Sequence, residues 1–147
     1  MSRSATHIIA GIVAIAIVAP ITYMGFDRRV PVIVETAYVA SPQPLKPGQT
    51  FRIGYKVNRI KLCSYTIQPI MFDGAKIRYE WDSQRLHSGG ELGEDNYFIE
   101  RTLPEGAKEG QGRYFTVLLY ACNPLQQFWP VRVQTPAIHF TIGNAEQ

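Results

Sequence analysis

The first pattern in the chain is an uninterrupted apolar stretch near its amino terminus. Residues 8–26 contain no charged side chain. At about 1.5 Å per residue, a helix of this length spans roughly 28 Å, close to the hydrocarbon core of a bilayer. Because the stretch is apolar on every side, a core helix of a soluble domain is not the favoured interpretation. The pattern predicts a transmembrane helix over 8–26, after a short cytoplasmic N-terminus at 1–7, and makes the lipid bilayer the first expected partner.

The residues within this stretch favour a signal-anchor that is not cleaved. The small-x-small sequence at 14–16 lies inside the apolar run, and Ala19 is followed by Pro20, a poor residue after a cleavage site. A cleaved signal is the alternative. The Lys and Arg count beside the stretch slightly favours a cytoplasmic carboxyl half, whereas the cysteines discussed below favour the opposite orientation.

Beyond residue 29 the pattern changes to short segments in which apolar and polar residues alternate. The clearest is 50–58, where Phe51, Ile53, Tyr55 and Val57 alternate with polar residues and glycine. A period of two with one apolar face is typical of a strand that lies on a core. Further strands are predicted over 29–40, 62–72, 76–81, 97–103, 112–122 and 128–142.

Three details refine this series of strands. The 112–122 segment is apolar on both parities, which indicates a central strand covered on both faces. Pro136 interrupts the last segment and predicts a bulge or a strand that changes sheets. Asp73–Gly74 predicts a tight turn, and the polar run 82–96, which includes Ser88–Gly89–Gly90, predicts a loop with at most a short edge strand.

Two short motifs within these strands resemble immunoglobulin-like domains. Residues 46–57 resemble the entry to the second strand of many bacterial immunoglobulin-like domains, and Gly112–Arg113–Tyr114 resembles the Gly-x-Tyr of the tyrosine corner. Thr116 stands where antibody domains have Cys, which excludes the antibody subtype. The resemblance implies an all-β fold, a seven- to eight-stranded immunoglobulin-like β-sandwich over 30–143 with a frayed tail at 144–147. A resemblance of fold implies no function.

The two cysteines, Cys63 and Cys122, fall in the third and sixth predicted strands. Those strands are neighbours within one sheet of this fold, so a disulfide is predicted. A disulfide belongs to an oxidising compartment, which places the sandwich on the periplasmic or extracellular side of the inner (cytoplasmic) membrane. Two buried free thiols are the alternative; a metal or redox pair is disfavoured because the chain has no Cys-x-x-Cys.

The charge of the chain is modest but segregated. The net charge is +3, and from residue 31 onward twelve basic and eleven acidic residues leave +1, which does not support nucleic-acid binding. A basic segment includes Arg52, Lys56, Arg59 and Lys61, whereas 80–109 carries eight acids. We interpret these as two solvated faces. The alternatives are contact with an acidic partner or head-to-tail contact between copies, as in a homo-oligomer.

The chain offers little for catalysis. Its three histidines have no neighbours at ligand spacing, and nucleotide-binding and nucleophile-elbow motifs are absent. Glu80 and Asp82 share a strand face, but an exposed edge explains them better than a catalytic pair. We therefore predict no enzyme, no cofactor and no metal.

The segment 123–130 contains adjacent aromatic residues between prolines, Phe128 and Trp129. It joins two strands at one end of the predicted sandwich, where such folds bind partners. Both rings are candidate partner contacts; the alternative is that they cap the sandwich. Together these features predict a membrane-anchored adhesion or interaction module of a bacterial or phage envelope, which binds a protein or a surface polymer. A self-assembling structural component is the second hypothesis, and a small hydrolase is disfavoured.

Overall fold

The structure, a computed structural model, describes residues 3–87 and 90–144. The predictions for Ser88 and Gly89, and for the tail at 145–147, lie outside these residues. Helix α1 (Arg3–Phe26) begins earlier than the predicted span and continues through Pro20. Within it, the 20 residues His7–Phe26 are long and apolar enough to cross a membrane, and none of the residues in its apolar window is buried by the rest of the molecule.

Nine strands follow within the described residues. They are β1 (Val32–Val39), β2 (Thr50–Arg59), β3 (Ser64–Phe72), β4 (Arg78–Glu80), β5 (Gln84–Leu86), β6 (Gly93–Thr102), β7 (Gly110–Ala121), β8 (Val131–Gln134) and β9 (Ile138–Ile142). The predicted all-β sandwich behind one helix is therefore confirmed. Two strands are added to the seven predicted segments: β5 lies in the polar segment 82–96, and the predicted segment 128–142 forms two strands, β8 and β9.

The strands form two antiparallel sheets. The first has the order β1–β2–β6; the second has β3 and β7 at its centre, with β4 and β5 beside β3 and β8 and β9 beside β7. This order matches the A–B–E and C–F–G strands of immunoglobulin-type sandwiches. Helix α1 and the starts of β1, β3 and β6 lie at one end, which we call the helix-proximal end. The loops 41–49, 73–77 and 103–109 lie at the opposite, far end.

Two predictions about β7 and its neighbours are resolved by strand pairing. Strands β8 and β9 both pair with β7, so the chain at Pro136 stays in one sheet and forms an irregularity there instead of changing sheets. Thr135 fills this irregularity, since its hydroxyl accepts the amide of Thr116 at 2.9 Å. The predicted disulfide is present between Cys63 and Cys122, whose Cα atoms are 4.6 Å apart at the ends of β3 and β7.

The main core lies between the sheets in the far half of the sandwich. Its fully buried side chains include Phe51, Phe140, Met71 and Tyr114. The Tyr114 hydroxyl accepts a hydrogen bond from Thr116 at 3.2 Å. Among the described residues it donates no bond to the upstream backbone, which is where it differs from a tyrosine corner.

Strand β7 is covered on its second face by aromatic rings on the outside of the sheet. Phe72 and Phe115 stack there at 6.3 Å, and the Arg113 guanidinium lies over both rings. This agrees with the prediction of a central strand that is covered on both faces. The sequence signal was the run of apolar residues on both parities.

Candidate functional site at the helix-proximal end

The end of α1 is bound directly to the loop that joins β7 and β8. A short 3₁₀ turn at Pro124–Gln127 begins after Asn123, whose side chain accepts the Gln126 amide at 3.1 Å and donates to the Met24 carbonyl at 3.1 Å. The buried Gln126 side chain accepts the Cys122 amide at 2.8 Å and donates to the Asp27 carbonyl at 2.5 Å. The bonds to Met24 and Asp27 each join residues 99 positions apart, so we call residues 24–28 and 122–130 together the clasp.

Arg28 completes the clasp on the aromatic side. Its guanidinium donates to the carbonyls of Trp129 at 2.8 Å and Pro130 at 3.1 Å, and lies 4.7 Å from the centre of the Trp129 ring. The predicted contact residues Phe128 and Trp129 are 90% and 68% exposed. The alternative in which both rings cap the core is not what the structure shows, because both rings lie on the surface.

Asp27 ties the clasp to the β2–β3 connection. Its carboxylate accepts a hydrogen bond from Lys61 at 2.6 Å. This hydrogen bond outweighs the partial burial of the carboxylate and lowers the pKa of Asp27. The acid therefore stays ionised at neutral pH, and its charge is compensated by Lys61.

Each of the four predicted basic contact residues lies beside an acid in the structure. Strand β2 pairs with β6 along its whole length, so the basic and acidic segments of the sequence become neighbours in one sheet. The pairs are Arg52–Glu100, Lys56–Glu35, Lys56–Glu94, Arg59–Asp95 and Lys61–Asp27. Three of the eight acids at 80–109, namely Glu94, Asp95 and Glu100, thus lie beside the basic segment within one molecule.

A cavity of about 150 Å³ separates the sheets in the helix-proximal half. Its lining is mostly apolar and includes the rings of Tyr55, Tyr97 and Tyr120. Burial raises the pKa of Tyr97 to about 12 and raises the pKa of Tyr55 and Tyr120 further above the usual range. All three hydroxyls therefore remain protonated. Among the described residues, the buried Tyr55 hydroxyl has no hydrogen-bond partner at normal distance and angle.

The structure places a serine and a histidine side by side, a pair that sequence reasoning missed. The Ser64 hydroxyl and the His87 Nδ1 lie 3.1 Å apart, because β5 brings residue 87 beside the start of β3. A nucleophile–base pair also needs a group that orients the base. Residues 3–87 and 90–144 provide no acid that accepts a hydrogen bond from His87, and no group of three His, Cys, Asp or Glu side chains in them is arranged to hold a metal.

No protein-family model and no curated protein matches this chain. Among solved structures, the chain is similar to the CARDB domain of the PF1109 protein from Pyrococcus furiosus, determined in complex with di-metal ions. The match covers 78% of this chain and 89% of that one, with 12% sequence identity and a TM-score of 0.38.

Proposed function

We propose that this protein is a single-pass, membrane-anchored, non-enzymatic interaction module of a bacterial or phage envelope. The observation that carries the proposal is the apolar helix segment His7–Phe26, in which no residue of the apolar window is buried by the rest of the molecule and which is followed by the sandwich. An apolar helix of this length without a protein cover is stable in hydrocarbon and costly in water. The anchoring helix and the sandwich would then act as one unit, with the partner bound outside the cytoplasm.

The disulfide supports the same location. Cys63 and Cys122 join the ends of two adjacent strands, and disulfides persist in oxidising compartments and are rare in the cytoplasm. A sandwich that folds on the periplasmic or extracellular side acquires this bond, whereas a cytoplasmic one keeps two thiols.

The partner surface that we favour is the outer face of the β1–β2–β6 sheet. Tyr38, Gly54 and Phe98 lie opposite one another across its three strands. A Cβ atom at Gly54 would lie 2.6 Å from the Tyr38 ring, so only glycine lets this ring lie flat against the sheet. The Arg52 guanidinium lies 4.5 Å from the centre of the Phe98 ring. The side chains of Tyr38 and Phe98 are both about half exposed.

This face has the composition of a contact surface for a protein or a surface polymer. Rigid aromatic rings supply contact area at low entropic cost, and the flanking Arg52 and Lys56 supply hydrogen-bond donors. Both basic residues were predicted contacts. Arg52 lies beside Glu100, and Lys56 lies beside both Glu35 and Glu94, which favours directional contacts over general attraction to acidic polymers.

The proposal is tested in two steps on the full chain in its native envelope. Alkaline carbonate should leave the chain in the membrane fraction, and protease added from outside should digest the sandwich. A photo-crosslinking amino acid in place of Phe98 should then give a defined adduct if the partner is a protein. If the partner is a polymer, isolated envelope polymer should protect this position from labelling. The matched position is Gln111, exposed on the other sheet, where neither should occur. Extraction by carbonate would contradict the anchor, and equal labelling at both positions would contradict the binding face.

A further inference from the structure

The loop 123–130 lies at the same level as the last turn of α1. The Asn123 side chain donates to the carbonyl of Met24, two residues before the helix ends. At about 1.5 Å per residue, Met24 lies roughly 3 Å inside the end of the helix. Gln126 bonds to the Asp27 carbonyl just beyond that end. Wherever the last turn of α1 lies relative to a bilayer, the loop must lie at the same depth.

Exposed apolar side chains are concentrated at this end of the sandwich. Seven large apolar side chains are exposed in its loops: Val30, Ile60, Leu62, Leu92, Leu125, Phe128 and Trp129. Among the described residues of the far-end loops at 41–49, 73–77 and 103–109, Ile77 alone is large, apolar and exposed. Two ends of one sandwich, exposed to the same solvent, would not be expected to differ in this way.

The charges beside these residues suit a lipid headgroup region. Arg29 is 78% exposed, and Arg28 lies over the Trp129 ring with its guanidinium at the surface. The nearby acid, Asp27, is compensated by Lys61 and so does not repel anionic headgroups. Tryptophan next to arginine is a combination that favours the boundary between hydrocarbon and water, since one end of each side chain is apolar and the other polar.

We propose that the helix-proximal end of the sandwich is a lipid-contacting surface, with Phe128 and Trp129 inserted into the headgroup region of the bilayer that α1 spans. The inference rests on the proposed membrane anchor and adds a second, independent contact with the same membrane. The occupant of this surface is lipid, so the two aromatic residues do not serve as contacts for a protein partner. The clasp fixes the depth of the two rings, and the basic residues bind the phosphates around them.

The test uses the full chain reconstituted into vesicles of phosphatidylethanolamine and phosphatidylglycerol. The chain has two tryptophans, so Trp81→Phe leaves Trp129 as the single fluorophore. Lipids brominated on the acyl chains near the headgroup should remove most of its emission. The matched variant Trp129→Phe retains Trp81, which packs against Tyr114 in the body of the sandwich at 5.8 Å, and should keep its emission. A third chain, with both tryptophans replaced and Ile77→Trp at the far end, should also be unaffected.

The outcomes separate this inference from the proposed function. Flotation with the vesicles and no quenching of Trp129 would overturn the lipid contact while leaving the anchor intact. Absence from the vesicle fraction would overturn both. If Trp81→Phe does not fold, fluorotryptophan incorporated into the unmutated chain gives the same answer, because paramagnetic lipids should broaden the Trp129 fluorine signal far more than that of Trp81. Equal broadening of the two signals would contradict the proposal.

Discussion

Asp73 is the residue whose replacement should most damage the far end of the sandwich. Its carboxylate is 1% exposed. One oxygen accepts the amides of Ala75 at 2.9 Å and Ile77 at 2.8 Å; the other accepts the amide of Lys108 at 2.9 Å, across 35 residues of sequence. A weaker contact from the Tyr79 hydroxyl at 3.4 Å adds to these. One side chain therefore closes its own turn and binds a second loop to it.

The loss can be estimated from these contacts. Hydrogen bonds to a charged group contribute about 1.5–3 kcal/mol each, and the loop amides regain part of this from water once the carboxylate is gone. We expect Asp73→Ala to lower the free energy of unfolding by about 4 kcal/mol, which is a large share of the roughly 5–15 kcal/mol of a typical domain. Asp73→Asn keeps the shape of the side chain and one acceptor oxygen, and should lower the free energy of unfolding by about half as much.

The pH dependence provides a second measurement on the same residue. Burial alone would raise the pKa of Asp73, but the hydrogen bonds from Lys108, Ile77, Ala75 and Tyr79 outweigh it and lower the pKa in the folded state. The contribution is therefore fully present above the unfolded pKa of about 3.9 and is lost as the pH falls through the lower folded value. The stability of the wild type should drop more steeply than that of Asp73→Asn as the pH falls below about 4.

The assay is urea unfolding of the full chain in detergent micelles, followed by tryptophan fluorescence at several pH values. Asp82→Ala, at an exposed aspartate, is the matched control and should unfold like the wild type. The reasoning is refuted if Asp73→Ala unfolds within about 1 kcal/mol of the wild type, since charged hydrogen bonds of this number and burial cannot cost so little.

Three further predictions concern other parts of the molecule. Replacing Cys63 and Cys122 together by Ala should cost about 4 kcal/mol in the same unfolding assay, because the bond closes a loop with a sequence separation of 59; an unchanged midpoint would contradict this. Gln126→Ala should lower the free energy of unfolding by about 2 kcal/mol, because it leaves the Cys122 amide and the Asp27 carbonyl without partners. Hydrogen exchange at the Cys122 amide should then accelerate. Retained protection of this amide would mean that the clasp is held by other bonds. Gly54→Ala should displace the Tyr38 ring and abolish crosslinking at the outer face of its sheet with little change in melting temperature; undiminished crosslinking would show that the ring is not a contact.

The sequence was most informative where a strand's pattern is set by local alternation. Phe51, Ile53, Tyr55 and Val57 all face the core as their parity predicts. The start of β6 was missed because Gly93, Glu94 and Asp95 read as a polar loop. They pair with β2 at an edge that water reaches, so no apolar alternation marks them.

Contacts between distant segments account for most of what the sequence could not predict at the candidate site. The ion pairs between β2 and β6 depend on a register that no local pattern specifies. Asp73 was recognised as a turn residue, but its bond to the Lys108 amide depends on where a loop 35 residues away comes to lie. The clasp is the extreme case: Asn123 and Gln126 look like ordinary loop residues, and their role follows only from the position of the end of α1.

The clasp also determines how far this protein can reach. Many anchored domains sit on flexible stalks and search a wide volume above the lipid. Here only four residues, 27–30, separate the helix from a buried proline, and two of them, Asp27 and Arg28, are bonded to the sandwich. For the proposed membrane protein this means that the sandwich lies at a fixed distance from the bilayer. The longest strand has 12 residues, or roughly 40 Å at about 3.3 Å per residue. Any partner must come within that distance of the bilayer, so the protein would suit targets that are themselves confined to the membrane's immediate neighbourhood.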